Sequence, residues 1–285
     1  MFQSVTNSAK NNLFSNKDSC GITVIGRFKQ IVDKNYTTDA INLRSYDLSD
    51  ADKIVVMYSK DKGLIRSVAK GVKKPKSKLG ARMDSLIANT LQFSRGRNLD
   101  TVCQANTINS FKELRQDVFK IMCSSYISEI VANFGLEEDP SSKETYNLLY
   151  SALQSISDAE DKKEVLISVI KFQLKMMLIS GICPEFDTCL HCGKRLLDED
   201  IYFSKERCGV FCAECNKIYK IPLKLNHKIR DFFVAMLQYD FNFKSDYDTK
   251  ATDKVCIVCF NFLKDYISAH SDKKFKTDKC LAEML

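Results

Sequence analysis

The sequence predicts an α+β chain: a small N-terminal β-barrel, then a helical domain, with a metal-binding ribbon inserted in the helical part. Three observations carry this. Short apolar runs separated by turn residues recur up to about residue 108, the apolar period then changes from two to about 3.6, and two C-x2-C pairs interrupt the helical half. A length of 285 residues exceeds one typical core and suits roughly two domains plus a small insertion.

Composition narrows the class. At 45% hydrophobic residues the chain is globular, and it holds no run of about 20 uncharged apolar residues. The nearest candidate, residues 165–181, is broken by Lys171, Gln173 and Lys175, so no membrane span is expected. The first residues lack a basic-then-apolar signal pattern. Twelve cysteines are too few for a disulfide-dense scaffold of this length, and four of them fall in neighbouring pairs, which points to a reducing cytoplasm and a bound metal.

In chain order, residues 1–37 read as an N-terminal extension, partly disordered because residues 1–19 are rich in Asn, Ser and Lys. The apolar segment at 20–32 fits strand and helix equally. Strands are then expected at 40–46, 53–58, 64–70, 85–93 and 99–108, with turns at Asp50-Ala51-Asp52, at 59–63 and at 94–98. Five closely spaced strands suggest a barrel of the OB type over residues 38–110.

The helical domain is expected over 111–285. Leu114, Val118, Ile121, Met122, Ile130, Val131 and Phe134 form one helical face closed by Gly135. Asp139-Pro140 opens a second helix, and residues 161–180 form a third ending at Gly181. Two more follow, one from near Asn226 that buries Ile229, Phe232, Phe233, Met236 and Leu237, and one over about 253–269.

The insertion, residues 186–220, contains Cys189-Leu190-His191-Cys192 and Cys212-Ala213-Glu214-Cys215, separated by 19 residues. Two residues between thiols let a tight turn aim both sulfurs at one cation, so Cys189, Cys192, Cys212 and Cys215 read as a four-thiolate site for one structural Zn2+. A closed four-cysteine site has no open position for chemistry. The hairpin between the pairs is expected at 201–203 and 210–211. Cys208 and Cys183 are competing ligands or bystanders, and His191 reads as exposed. A third pair, Cys256 and Cys259, lies at i and i+3 on an apolar helical face and reads as core packing.

Residues 60–82 hold nine Lys or Arg against one acid, a local net of +8 in a chain whose total is +7. The basicity is therefore concentrated between the third and fourth strands. Lys60, Lys62, Arg66, Lys70, Lys73, Lys74, Lys76, Lys78 and Arg82, with Arg95 and Arg97 of the next turn, are the candidate phosphate ligands, and Gly71 and Pro75 set the register of the loop. Tyr46, Tyr58 and Phe93 offer stacking faces, although at strand positions such rings belong more often to the core. The bland alternative is a charged loop kept for solubility. Phosphate contacts alone also leave an RNA-binding protein open. A protein-interaction scaffold is the third reading. No Walker-type loop and no nucleophile motif is present, so an enzyme is not expected.

The order of barrel, basic loop, helices and ribbon resembles the bacterial RecO family of recombination-repair proteins. The motifs that carry the likeness are Gly63-Leu64-Ile65, Ala69-Lys70-Gly71, Lys76-Ser77-Lys78-Leu79, Gly96-Arg97 followed by Leu99, FKELRQD at 111–117, and the ribbon placed after GICPEFDTC. The likeness covers roughly residues 38–275. It implies a protein that binds single- and double-stranded DNA, anneals complementary strands and, with RecR, helps load RecA onto single strands coated by SSB. It implies a cytoplasmic protein that joins the nucleoid during repair. The SSB tail, acidic and apolar-ended, needs a groove rimmed by cations, for which Lys220, Lys224, Lys228 and Arg230 are candidates beside the plainer reading of a solvated helix face. Two departures stand out: residues 1–37 precede the usual start of the barrel, and Cys208-Gly209 stands where a Gly-Gly pair is usual.

Overall fold

The computed structural model describes residues 34–197, 199–242, 246 and 250–285. The expectations placed on residues 1–33, most of the N-terminal extension and the undecided segment at 20–32, lie outside the described residues.

Five strands close into a barrel: β1 (Asn35–Asp47), β2 (Lys53–Ser59), β3 (Gly63–Ala69), β4 (Ala88–Ser94) and β5 (Asp100–Asn109), in the order β1-β2-β3-β5-β4 and back to β1. The single parallel pairing, β3 with β5, is the short one. The strand order is that of an OB-type barrel. β1 starts ahead of the apolar run at 40–46, because its polar first residues pair with β4 from Asn35↔Ser94 onward. Their side chains find partners too: Thr38 Oγ1 donates to Asp61 Oδ2 at 2.7 Å, and Thr90 Oγ1 donates to Asp39 Oδ1 at 2.7 Å. β4 starts at Ala88, three residues later than expected, because Leu86 adopts φ 62°, outside any strand conformation.

The barrel buries both sides of its first two strands. Ala40, Val55, Met57, Ile65, Leu91 and Phe93 fill the barrel interior. Ile41, Leu43, Val56, Tyr58 and Leu64 point outward and join the core of the helices. This explains the unbroken apolar run Ile54-Val55-Val56-Met57-Tyr58, since a strand buried on both faces has no polar alternation to show. Tyr58, read at the sequence level as core or stacking face, is fully buried, and its hydroxyl donates to Asp139 Oδ2 at 2.7 Å. Phe93 is equally buried, whereas Tyr46 is 43% exposed.

The helices are α1 (Val118–Phe134), α2 (Ser142–Asp158), α3 (Lys162–Ile179), α4 (Ala213–Tyr219), α5 (His227–Gln238), α6 (Asp253–Ala269) and α7 (Asp278–Met284). α3 is the hub, buried on almost every side between α2, α5 and α6. That burial accounts for its length of apolar sequence, and two of its polar side chains donate into the core: Gln173 Nε2 to Tyr126 Oη at 3.0 Å, and Lys175 Nζ to the Leu237 carbonyl at 3.2 Å. Among the described residues no helix is long and apolar enough to cross a membrane. Asp117, Asp161, Asn226 and Thr252 cap α1, α3, α5 and α6 by accepting backbone N–H groups of the first turn. Val118, expected on the buried face of α1, is instead 66% exposed, because it is the first residue after the cap and lies before the helix meets the core.

The link between α1 and α2 is stitched to the barrel. Leu64 N–H donates to the Leu136 carbonyl at 2.8 Å and Glu138 N–H to the Lys62 carbonyl at 2.8 Å, across the turn that contains Gly63. Gly63 has φ +71°, and a Cβ there would stand 2.3 Å from Leu136 O. Both facts demand glycine. Gly63→Ala is expected to cost about 2–4 kcal/mol, the sum of left-handed strain and forced displacement of backbone. Denaturant unfolding checks this, and a loss below about 1 kcal/mol would show that the link yields freely.

Candidate nucleic-acid interface and metal centre

The basic loop between β3 and β4 is pinned at both ends and in the middle. Gly71, at φ +64°, turns the chain out of β3 while its N–H donates to Asp52 Oδ1 at 2.7 Å. Val72 and Met83 are buried and Leu79 packs half-buried against the barrel interior. Ser77 Oγ accepts the N–H groups of Leu79 and Gly80, at 3.3 and 3.2 Å. Asn42 and Asn89 each donate from Nδ2 to the Arg82 carbonyl, at 2.8 and 2.9 Å. Three apolar anchors and these bonds hold the backbone, so the exposed side chains of Lys70, Lys73, Lys74, Lys76, Lys78 and Arg82 project from a built surface. Lys73 is the most engaged of them, 2.9 Å from Asp47 Oδ2. Arg82 Nη1 donates to the Lys78 carbonyl at 2.8 Å.

The remaining candidates gather on another part of the barrel. Lys62, Arg66 and Arg95 line one cleft together with Tyr36, and exposed Arg97 lies on the same turn as Arg95. Lys60 is half-buried, its Nζ 5.9 Å from the ring centroid of Tyr146 in α2. The structure thus brings the candidates together as two groups. Tyr36 was missed at the sequence level because it falls within the segment read as an extension. Its aromatic character ahead of the first apolar run was the available signal.

In the ribbon, β6 (Ile201–Ser204) and β7 (Gly209–Phe211) form the expected hairpin, and β8 (Lys224–Leu225) adds a third strand on the other side of β6. The Sγ atoms of Cys189, Cys192, Cys212 and Cys215 lie within 4.8 Å of one another. A tetrahedron with metal–sulfur bonds of about 2.3 Å sets its sulfurs roughly 3.8 Å apart, so this donor set can hold a metal ion with small adjustment. The first pair is held by a turn in which Gly193 N–H donates to the Cys189 carbonyl at 2.9 Å. The second is not a turn but a helix start: Cys212 caps α4, and Cys215 N–H points at Cys212 Sγ, 3.4 Å away.

Four thiols this close do not all ionise without a cation. Burial acts to raise the pKa of Cys189, but the N–H groups of Cys192, Cys212 and His191 outweigh it and bring the thiol down to about 6. Cys215 is pushed well up, first by burial and then by the neighbouring sulfurs. A bound cation relieves this conflict.

Cys208 stands outside the cluster, its Sγ 3.5 Å from Nε2 of His270. His191 is exposed and hydrogen bonded through Nδ1 to Tyr219 Oη at 2.9 Å. Cys256 and Cys259 are fully buried in α6, as their spacing predicts, and burial raises the Cys259 thiol to about 12. Arg230, expected from the sequence to belong to a cationic rim, is instead buried and bonded to the Leu196 carbonyl and to Asp231, so it presents no charge to such a rim. Lys224 pairs with Asp200 at 2.7 Å.

Comparison with known proteins decides the family. The model for the Recombination protein O N terminal region matches residues 34–111, and that for the Recombination protein O C terminal region matches residues 115–279. The chain belongs to the RecO family.

Curated relatives agree. A DNA repair protein RecO of Desulforamulus reducens is 29% identical over 244 residues, which cover 86% of this chain and 93% of the relative. That of Pelotomaculum thermopropionicum is 31% identical, covering 72% of this chain and 78% of the relative. That of Trichodesmium erythraeum is 34% identical over 66% of each. In this RecO-family chain Cys208 adopts φ 54°, a left-handed conformation that glycine takes without strain.

Proposed function

We propose that this RecO-family chain is a DNA-repair mediator that binds single- and double-stranded DNA, anneals complementary single strands and, with RecR and the C-terminal tail of SSB, helps load RecA on SSB-coated single-stranded DNA. It works in the cytoplasm, at the nucleoid during repair. It catalyses no covalent step. The observation that carries the reading is the anchored basic loop on an OB-type barrel, with six exposed cations held on a fixed backbone. A loop kept for solubility needs neither buried anchors nor side-chain clamps, whereas a surface that tracks phosphates gains from both. The names of the relatives supply the repair context.

The four-thiolate cluster is the site of one structural Zn2+. Thiolates favour this ion, and four protein ligands leave no position for a reacting group. Cys189, Cys192, Cys212 and Cys215 hold the ribbon's two halves, and no chemistry passes through the metal.

Annealing of SSB-coated complementary oligonucleotides, with and without the chain, tests the proposal. Acceleration is expected, and absence of acceleration with and without RecR would overturn the mediator reading. Equilibrium binding to single strands should give log K against log salt with a slope of about −4 to −6, the signature of five to eight phosphate contacts. A salt-independent affinity contradicts it. Tighter binding to an RNA than to the matched DNA would move the chain to RNA.

A further inference from the structure

The barrel closes between β3 and β5 over a short stretch. β3 pairs with β5 only at Ser67↔Asp100 and Val68↔Thr101, and ahead of these positions Gly63 bridges instead to Glu137 of the α1–α2 link. Between the two strands lies a cleft of about 400 Å³ lined by Tyr36, Lys62, Arg66, Arg95, Asn98 and Glu138.

The cleft has the parts of a nucleotide site. One face of Tyr36 stacks on Phe93, with centroids 5.0 Å apart and an interplanar angle of 16°. Lys62 Nζ stands 4.9 Å and the Arg95 guanidinium 5.2 Å from the same ring's centroid. The Tyr36 hydroxyl donates to Asp100 Oδ2 at 2.6 Å, and burial together with this bond raises its pKa far above the usual range. Asp100 Oδ1 also accepts Gly96 N–H at 3.0 Å, so one carboxylate fixes both the ring and the turn carrying Arg95 and Arg97. Arg66 is exposed and pairs with no acid among the described residues. Lys62, in contrast, is occupied: its Nζ lies 3.2 Å from Glu138 Oε1, and the Glu138 side chain is 77% exposed.

We propose that this cleft receives one nucleotide of a single strand, its phosphate held by Lys62 and Arg66 and its base stacked on the Arg95 guanidinium, and that the Glu138 carboxylate fills the phosphate position until the strand arrives. The proposal rests on the DNA-binding reading above. A carboxylate offers Lys62 the same anionic oxygens as a phosphate, and an exposed ion pair of this kind is weak enough to be displaced. When a phosphate takes its place, the freed carboxylate takes up the cation that the phosphate gives up, so this contact adds to the salt slope only once Glu138 is removed. Planar cations and rings accept any base, which suits binding without sequence preference. A duplex keeps its bases stacked inside and cannot insert one into a cleft of this size, so the site discriminates in favour of single strands.

Glu138→Gln tests it, read by fluorescence anisotropy on an oligothymidylate and on a blunt duplex over a salt series. Single-strand affinity is expected to rise about two- to fivefold, with the salt slope steeper by about 0.7, while duplex affinity stays unchanged. Arg66→Gln is expected to move the single-strand affinity and slope the opposite way. Glu206→Gln makes the same change in net charge on the ribbon and is expected to leave both unchanged. If Glu138→Gln and Glu206→Gln act alike, or the slope does not steepen, the cleft is not the subsite and the basic-loop reading stands. If the unaltered chain shows no salt-dependent binding to either probe, both readings fall together.

Discussion

Replacing Lys73, Lys74, Lys76 and Lys78 together by Glu is expected to weaken single-strand binding by roughly 10²–10³ at about 0.1 M salt, and to flatten the salt slope by up to about 3. The reasoning starts from the backbone. Val72, Leu79 and Met83 hold the loop to the barrel, and none of the four lysines contributes to that packing. Lys74, Lys76 and Lys78 make no ion pair among the described residues, so reversing them removes proposed phosphate ligands without breaking an ion pair. Lys73 differs, since its reversal also sets a carboxylate against Asp47. A companion variant that keeps Lys73 separates this local repulsion from the loss of phosphate contacts. Thermal unfolding should stay within a few degrees of the unaltered chain. Unchanged DNA binding by the fourfold variant would return the loop to a role in solubility and favour an interaction scaffold.

Loss of the metal is the other large expected effect. On the zinc reading proposed above, Cys189→Ala combined with Cys212→Ala is expected to purify without the stoichiometric zinc expected of the unaltered chain and with its ribbon unfolded. The scale is set by structural zinc in small modules, on the order of 10 kcal/mol of apparent folding free energy. The damage should not stop at the ribbon. Phe186 packs against Phe233 of α5 with centroids 5.2 Å apart, and Phe203 against Phe262 of α6 at 4.9 Å, so the ribbon's aromatic side is part of the helical core. Metal analysis, with thermal unfolding followed by near-UV circular dichroism, reads both parts of the prediction. A zinc-free chain that stays fully folded would show that this packing alone holds the ribbon and that the four thiols are not its support.

The two sites were legible to different degrees. Thiols at fixed spacing signal their geometry directly, because a C-x2-C pair constrains both sulfurs within one turn. The helical start of the second pair and the pairing of β8 with β6 were not legible. Each depends on where the ribbon docks, and Lys224-Leu225 is too short to show a period. For the cations the sequence supplied number and position along the chain but not engagement. Lys62 with Glu138 and Lys73 with Asp47 are contacts across 76 and 26 residues, which no local pattern reports. Arg230 fails as a surface cation for the same reason, since the carbonyl that holds it, that of Leu196, lies 34 residues away in the ribbon.

The sequence by itself determined the five strands, the change of period near residue 110, the starts of α3 and α5 at Asp161 and Asn226, the pairing of the four clustered cysteines and the concentration of charge at 60–82. All of these rest on interactions among residues close in the chain, where spacing and side-chain chemistry suffice. Only the tertiary structure decided that β1 and β2 are buried on both faces, that Tyr36 belongs beside Arg95, that the turn after α1 bridges to the start of β3, and that the cations divide into an anchored loop and a cleft beside Glu138. Those outcomes follow from closure of the barrel and its packing on the helices, which bring together residues far apart in sequence.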